Sequence, residues 1–149
     1  MTDSKEGLAR HVVRQMIVLI GDDTFREGLQ DTPARVVKSW AELFSGYSTD
    51  PDTLITTFSE TNGYDQMILL RNIEFHSFCE HHMLPFVGVG HVAYLPKGKV
   101  IGVSKLARLL DCFSRRLQIQ ERIGQQVTAA LDKNLDPLGS ACVLVAKHH

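Results

Sequence analysis

FHSFCEHHMLPF, residues 75–86, places a cysteine and two histidines within four positions. Cys79 and His82 are three residues apart, so both can reach one metal ion from a single turn of chain. Thiolate and neutral imidazole together form a pair that zinc favours. His81 then points elsewhere and is free to move protons beside the metal. A structural zinc ion takes four protein ligands, usually from two such pairs, whereas this sequence has one pair, which favours a catalytic zinc with an open position. The alternative is a turn that holds these residues and binds no metal.

The same stretch joins two patterns that are typical of β-strands. The first covers about residues 66–75, and the second covers about 86–95 and ends before Pro96. Because so few residues separate them, we expect an antiparallel pair with the Cys-Glu-His-His turn at its end. On one face of the first strand we expect Met67, Leu69, Ile73 and Phe75, and on the other Ile68, Leu70, Glu74 and His76.

Helical spacing of apolar residues predicts four helices. They span about residues 3–20, 32–45, 104–113 and 118–133. A short strand at 100–103 and a last strand at 141–146 complete an α+β pattern. On the second helix Arg35 and Lys38 share one face, which is either part of a basic site or a solvated surface.

Two helix starts carry residues that suit a nucleotide. Ser104, Lys105 and Arg108 cluster at one start, where free backbone N–H groups, a hydroxyl and two cations can hold an anion. Gln120 and Glu121 lie at the next, and an amide beside a carboxylate could read the edge of a purine such as guanine. Each group of residues, considered by itself, could equally be the solvent-exposed first turn of a helix that binds no ligand.

The bulk properties exclude several classes. A length of 149 residues predicts one domain, and a net charge of −1 gives no support to a nucleic-acid-binding role. The three cysteines have no regular spacing, so we expect no disulfide framework and a reducing, cytoplasmic location. No apolar run approaches the ~20 residues that would cross a bilayer, so we expect no membrane segment.

Four motifs in register resemble the GTP cyclohydrolase I family. They are REGLQDTPARVVK at residues 26–38, CEHHMLPF at 79–86, GVSKLAR at 102–108 and SRRLQIQER at 114–122. The resemblance extends in order from about residue 8 to the end of the chain. Agreement among four separate motifs favours one shared site over four unrelated surface features.

The resemblance implies a tunnelling fold, in which an antiparallel sheet carries two helices on one face and is preceded by N-terminal helices. By this resemblance the chain is a single domain, 1–149, with an N-terminal helical segment of about 1–46 and a catalytic region of about 64–149. The implied assembly is a homodecamer of two pentamers with active sites at subunit interfaces. The implied reaction is zinc-dependent hydrolysis of GTP to 7,8-dihydroneopterin triphosphate and formate, the first step of tetrahydrofolate and pterin biosynthesis.

The resemblance also implies a role for each candidate residue. The zinc ligands would be Cys79 and His82; the catalytic proton carriers His81 and His148; the guanine-binding pair Gln120 and Glu121; and the triphosphate-binding residues Ser104, Lys105, Arg108, Arg35 and Lys38.

One departure from the family pattern affects these expectations. The family's third zinc ligand is a cysteine two residues past the second catalytic histidine, which here falls beyond His149. The strands that close the family's sheet fall there too, so we expect a C-terminally incomplete chain. Two alternatives to the active enzyme follow: a catalytically silent, nucleotide-binding ring subunit without a complete zinc site, and a different tunnelling-fold activity.

Overall fold

The computed structural model describes residues 2–59, 63 and 65–148, with side chains from residue 5 onward. The chain divides into two compact units, Met1–Leu43 and Phe44–His149. The single domain expected from the chain length stays a prediction. Within the described ranges, none of the helices combines the length and the apolar character that a bilayer crossing requires.

The first unit is helical. Helix α1 spans Thr2–Ile20 and α2 spans Thr32–Leu43, with a short 3-10 helix at Glu27–Leu29 between them. Gly21 ends α1 in the left-handed region at φ 97°, a conformation that glycine adopts without a steric penalty. Both helices start and end within about two residues of the positions predicted from their apolar spacing.

The second unit contains all the strands that the structure describes. Its elements are a 3-10 helix at Ser45–Tyr47, α3 Pro51–Leu54, β1 Thr57–Ser59, β2 Ile68–Cys79, β3 Pro85–Leu95, β4 Lys99–Ile101, α4 Val103–Ser114, β5 Leu117–Gln118, α5 Gln120–Leu135 and β6 Gly139–His148. The main sheet has the order β5-β2-β3-β6. Strands β2, β3 and β6 pair antiparallel, β5 runs parallel to β2, and β1 pairs with β4 in a separate small sheet.

The predicted faces of β2 are wrong in its first half. Leu70 pairs with Val92 and Ile73 with Gly90, so β2 has one more residue than β3 in this interval. The extra residue forms a bulge in which Asn72 takes φ 58°. Because a bulge reverses the alternation of side chains, Leu70 lies on the same face as Ile73, and both pack against the core.

Met67 and Leu69, predicted to share a face with Ile73 and Phe75, are exposed instead. Met67 is 61% exposed and Leu69 is 42% exposed, whereas Ile68 packs against the core. The predicted alternation of side chains is correct after the bulge, from Ile73 onward, and is reversed before it.

The core lies between one face of the main sheet and helices α4 and α5. Its buried helical side chains are Leu106, Leu109, Leu110, Phe113, Ile123, Val127, Ala130, Leu131 and Leu135. From the sheet, Phe75, Phe86, Val92 and Tyr94 close the same cluster. Gly90 lets α4 approach the sheet, since a Cβ there would lie 2.4 Å from Leu110 Cδ2. The predicted α+β class, an antiparallel sheet with two helices on one face, is confirmed.

Candidate active site

The Cys-Glu-His-His turn connects β2 to β3, as predicted. The backbone N–H of Cys79 donates to Leu84 O at 2.8 Å, and the N–H of Met83 donates to Cys79 O at 2.8 Å. Met83 closes the turn at φ 57°, in the left-handed region. Cys79 is therefore the last residue of a paired strand, and the two histidines lie in a turn closed by backbone hydrogen bonds.

Cys79 Sγ lies 3.8 Å from Nδ1 of His82 and 3.8 Å from Nδ1 of His81. With bonds of about 2.3 Å to sulfur and 2.0 Å to nitrogen, a tetrahedral zinc ion holds two such atoms about 3.5 Å apart. The spacing of Cys79 and His82 therefore fits a shared zinc ion. His81 lies equally near, so its separate role as a proton carrier stays a prediction. Among the residues that the structure describes, no three His, Cys, Asp or Glu side chains are grouped to hold a metal ion.

An ion pair that the sequence reasoning missed connects this turn to α5. Both terminal nitrogens of Arg122 donate to the carboxylate of Glu80, one of them at 3.0 Å. The backbone N–H of Glu80 donates to Gln118 O at 3.0 Å. The hydrogen bonds from Arg122 lower the pKa of the Glu80 carboxyl below its ordinary value. The available signal was that these two residues belong to the 79–86 and 114–122 motifs, although no role was assigned to either.

His148 lies against the first turn of α5. Its Nε2 is 3.1 Å from Oε1 of Gln120, and its ring stacks on Phe86 with centroids 4.7 Å apart and an angle of 9° between the planes. Gln120 Nε2 donates in turn to Leu144 O at 2.9 Å. The structure thus brings together two predicted site residues, one from the catalytic pair and one from the guanine-binding pair.

Glu121 is exposed and lines a groove between α5 and β6. The other residues that line this groove are Gln120, Gly124, Gln125, Thr128, Cys142 and Leu144. The groove combines amides, a hydroxyl and a carboxylate, which are groups suited to the donors and acceptors at a purine edge. Recognition of guanine by Gln120 and Glu121 stays a prediction.

The predicted anion-binding cluster lies in the first turn of α4, at some distance from the turn at Cys79. Ser104 and Arg108 are exposed there, and Lys105 is half-buried. The other end of α4 leads into β5, which pairs with Phe78 and Cys79. At a rise of 1.5 Å per residue, Ser104 and Ser114, which are ten positions apart, lie about 15 Å from each other along the helix. Within one chain the cluster and the Cys79 turn are therefore at opposite ends of α4.

Arg35 and Lys38 lie on α2, in the first unit, where both are exposed. With Arg10 and Glu6 they line a groove between α1 and α2. Arg35 Nη2 donates to Gly28 O at 3.1 Å and to Thr32 Oγ1 at 3.0 Å. Their predicted part in triphosphate binding stays a prediction.

Fold and site together define an α+β protein whose antiparallel sheet carries a Cys–His pair at a strand end. The chain belongs to the GTP cyclohydrolase I family, which it matches over residues 9–149. It is 49% identical over 148 residues to GTP cyclohydrolase 1 of Wolinella succinogenes, and the match covers 99% of this chain and 79% of that protein. GTP cyclohydrolase 1 of Brucella canis is 49% identical over 141 residues, or 94% of this chain, which spans 66% of that relative's length.

A comparison of structures finds the archaeosine synthase QueF-Like in the apo form, with a TM-score of 0.44 and 16% identity over 55% of this chain and 91% of the other. The family predicted from the four motifs is confirmed by the sequence comparisons, and with it the enzyme class, a hydrolase. Members of this family act on GTP, generally depend on zinc and are oligomeric.

Proposed function

We propose that this chain acts as a GTP cyclohydrolase I, which hydrolyses GTP to 7,8-dihydroneopterin triphosphate and formate in tetrahydrofolate and pterin biosynthesis. The observation that carries the proposal is the Cys79–His82 pair, whose Sγ and Nδ1 atoms lie 3.8 Å apart in a chain of this family. A cytoplasmic location, expected from the cysteine pattern, stays a prediction.

Cys79 and His82 supply two zinc ligands in this proposal. A bound zinc ion supplies activation of water at neutral pH. The thiolate and imidazole hold the ion at the end of β2, where the backbone bonds of the turn fix their separation. Anchoring a ligand pair on a paired strand keeps the site close to its working geometry.

His81 and His148 carry protons in this proposal. Opening the five-membered ring of guanine at C8 requires a proton on the departing nitrogen, and imidazole is the side chain whose ordinary pKa suits this transfer near pH 7. The exposed carboxylate of Glu121 accepts hydrogen bonds from the N–H groups at the guanine edge. An acceptor of this kind discriminates against purines that lack those N–H groups.

Ser104, Lys105 and Arg108 hold the triphosphate in this proposal, and they do so for a neighbouring subunit. The length of α4 puts the cluster about 15 Å from the end of the helix that leads to Cys79 in the same chain. A site that joins both features is readily built when the cluster of one subunit meets the Cys79 turn of another. We therefore propose a homo-oligomer with composite active sites, and the family resemblance supports a decamer of two pentamers.

The test is an assay of the purified, zinc-loaded chain with GTP. Equal yields of formate and of a pterin that becomes fluorescent after oxidation are the expected result. GTP binding without release of formate would contradict catalysis and identify a nucleotide-binding ring subunit instead.

A further inference from the structure

We propose that Gln120 is a positioning residue for His148: it holds the proton of the neutral imidazole on Nε2 and leaves Nδ1 as the nitrogen that accepts a proton. The inference rests on the proposed function for the role of His148 in catalysis. The placement of the proton follows from the geometry alone.

The orientation of the Gln120 amide is fixed by its partner in β6. The carbonyl oxygen of Leu144 can only accept, so the amide atom 2.9 Å away from it is the NH2 group. The amide oxygen Oε1 then faces His148, 3.1 Å from Nε2. Because an amide oxygen also only accepts, Nε2 of His148 carries the hydrogen in this contact.

The His148 ring is also held in its plane. It stacks on Phe86 at 4.7 Å with 9° between the rings, and Phe86 is fully buried in the core. A ring stacked on a fixed neighbour and bonded through Nε2 keeps Nδ1 on its opposite edge. Such a hydrogen bond to one ring nitrogen is the usual device that sets which nitrogen does the chemistry.

The same bonds use half of the hydrogen-bonding capacity of the Gln120 amide. Its NH2 group donates to Leu144 and its oxygen accepts from His148, so one N–H and one oxygen lone pair remain for any contact with a base. Glu121, the next residue, is exposed in the groove and is the better placed of the two to accept from the base.

The first test is ¹⁵N NMR of histidine-labelled protein at about pH 8.5, where a histidine ring of ordinary pKa is neutral. The His148 signals are assigned from their loss in His148→Gln. We expect the shift pattern of a single tautomer with hydrogen on Nε2 in the wild type and a mixture of tautomers in Gln120→Met. A wild-type His148 that carries its hydrogen on Nδ1 would overturn the inference, whatever the activity.

The second test separates positioning from base recognition by kinetics. Gln120→Met should lower kcat by about 10-fold or more, because acid–base catalysis contributes about 10²–10⁴-fold. KM for GTP and the ratio of kcat/KM for GTP to that for inosine triphosphate should stay within about threefold. Gln15→Met, the same replacement on the exposed surface of α1, is the matched control and should change neither.

An unchanged kcat in Gln120→Met, or a collapse of the GTP preference, would overturn the positioning role. An inactive wild type with the Nε2–H tautomer would contradict the proposed function and leave the placement of the proton standing.

Discussion

At the residue scale, the three cysteines are free and lie in different surroundings. Cys79 ends β2 at the exposed turn, Cys112 is buried, and Cys142 packs against the core. Burial raises the pKa of the Cys142 thiol to about 11, and desolvation also raises the pKa of Cys112. Cys79 Sγ lies 3.8 Å from two imidazole nitrogens, which makes Cys79 the candidate ligand among the three.

We expect iodoacetamide at pH 7 to modify Cys79 well before Cys142. A thiol with a pKa of about 11 has about one thiolate in ten thousand at this pH, and the thiolate is the reactive form. Peptide mass mapping over time measures the order of modification. Added zinc should protect Cys79 alone, and equal labelling of Cys79 with and without zinc would count against the metal pair.

At the element scale, the ion pair of Glu80 and Arg122 ties the β2–β3 turn to α5. The pKa of Glu80 is lowered mainly by the hydrogen bonds from Arg122. A carboxyl whose folded-state pKa is depressed adds stability above its unfolded pKa, here 4.5, and loses it as pH falls through the folded-state value.

The melting temperature of wild type should therefore exceed that of Glu80→Gln by a constant margin above about pH 5.5, and the margin should shrink as pH falls below about 4.5. Melting curves at a series of pH values measure this margin. Asp136→Asn, which removes an exposed pair with Lys97, is the control and should show only a small effect. A Glu80→Gln margin that is independent of pH would contradict the assignment.

Close pairing of β3 with β6 depends on Gly88. A Cβ at this position would lie 2.1 Å from Val145 O and 2.8 Å from Ala146 Cα, both in the backbone of β6. Gly88→Ala should therefore lower the free energy of unfolding by about 1–3 kcal/mol or more, because backbone has to move. Gly139→Ala, where a Cβ meets nothing within 4 Å, should stay within about 0.5 kcal/mol. Equal denaturation midpoints for the two variants would contradict the packing.

Elements whose sequence pattern lies within the element itself could be predicted from the sequence. Features that depend on how two strands pair could not. The apolar spacing of α4 and α5 gave their buried faces, since a helix repeats its own geometry. The bulge in β2 depends on β3, where His91 Nδ1 accepts from the backbone N–H of Asn72 at 3.3 Å. No pattern within β2 alone reveals such a partner 19 residues away.

In the candidate site, too, contacts between neighbouring residues could be predicted and contacts between distant residues could not. Cys79 and His82 are only three positions apart, and their pairing was predicted from this spacing. The contact of Gln120 with His148 joins residues 28 apart, and that of Glu80 with Arg122 joins residues 42 apart. The motifs contain Gln120, Glu80 and Arg122, and the resemblance to the family implied His148, but which residue bonds to which depends on how β6 and the β2–β3 turn lie against α5.

At the scale of the whole molecule, the separation of the two ends of α4 predicts complementation between inactive subunits. Cys79→Ser and Lys105→Ala should each be inactive, because one removes a zinc ligand and the other a phosphate contact. Dissociating, mixing in equal amounts and reassembling them should restore about a quarter of wild-type activity, since a quarter of composite sites then receive both intact residues. Formate release measures the recovered activity, and each variant taken alone through the same treatment is the control. No recovery in the mixture would contradict an active site shared between subunits.

The central claim is that Cys79 and His82 hold the zinc ion on which GTP hydrolysis depends. It is tested most directly by measuring zinc content and formate release on the same samples of wild type, Cys79→Ser and the control Cys112→Ser. The account predicts that Cys79→Ser loses both zinc and turnover while Cys112→Ser, altered at a buried thiol of α4, keeps both. Wild-type turnover by a zinc-free Cys79→Ser protein would contradict it.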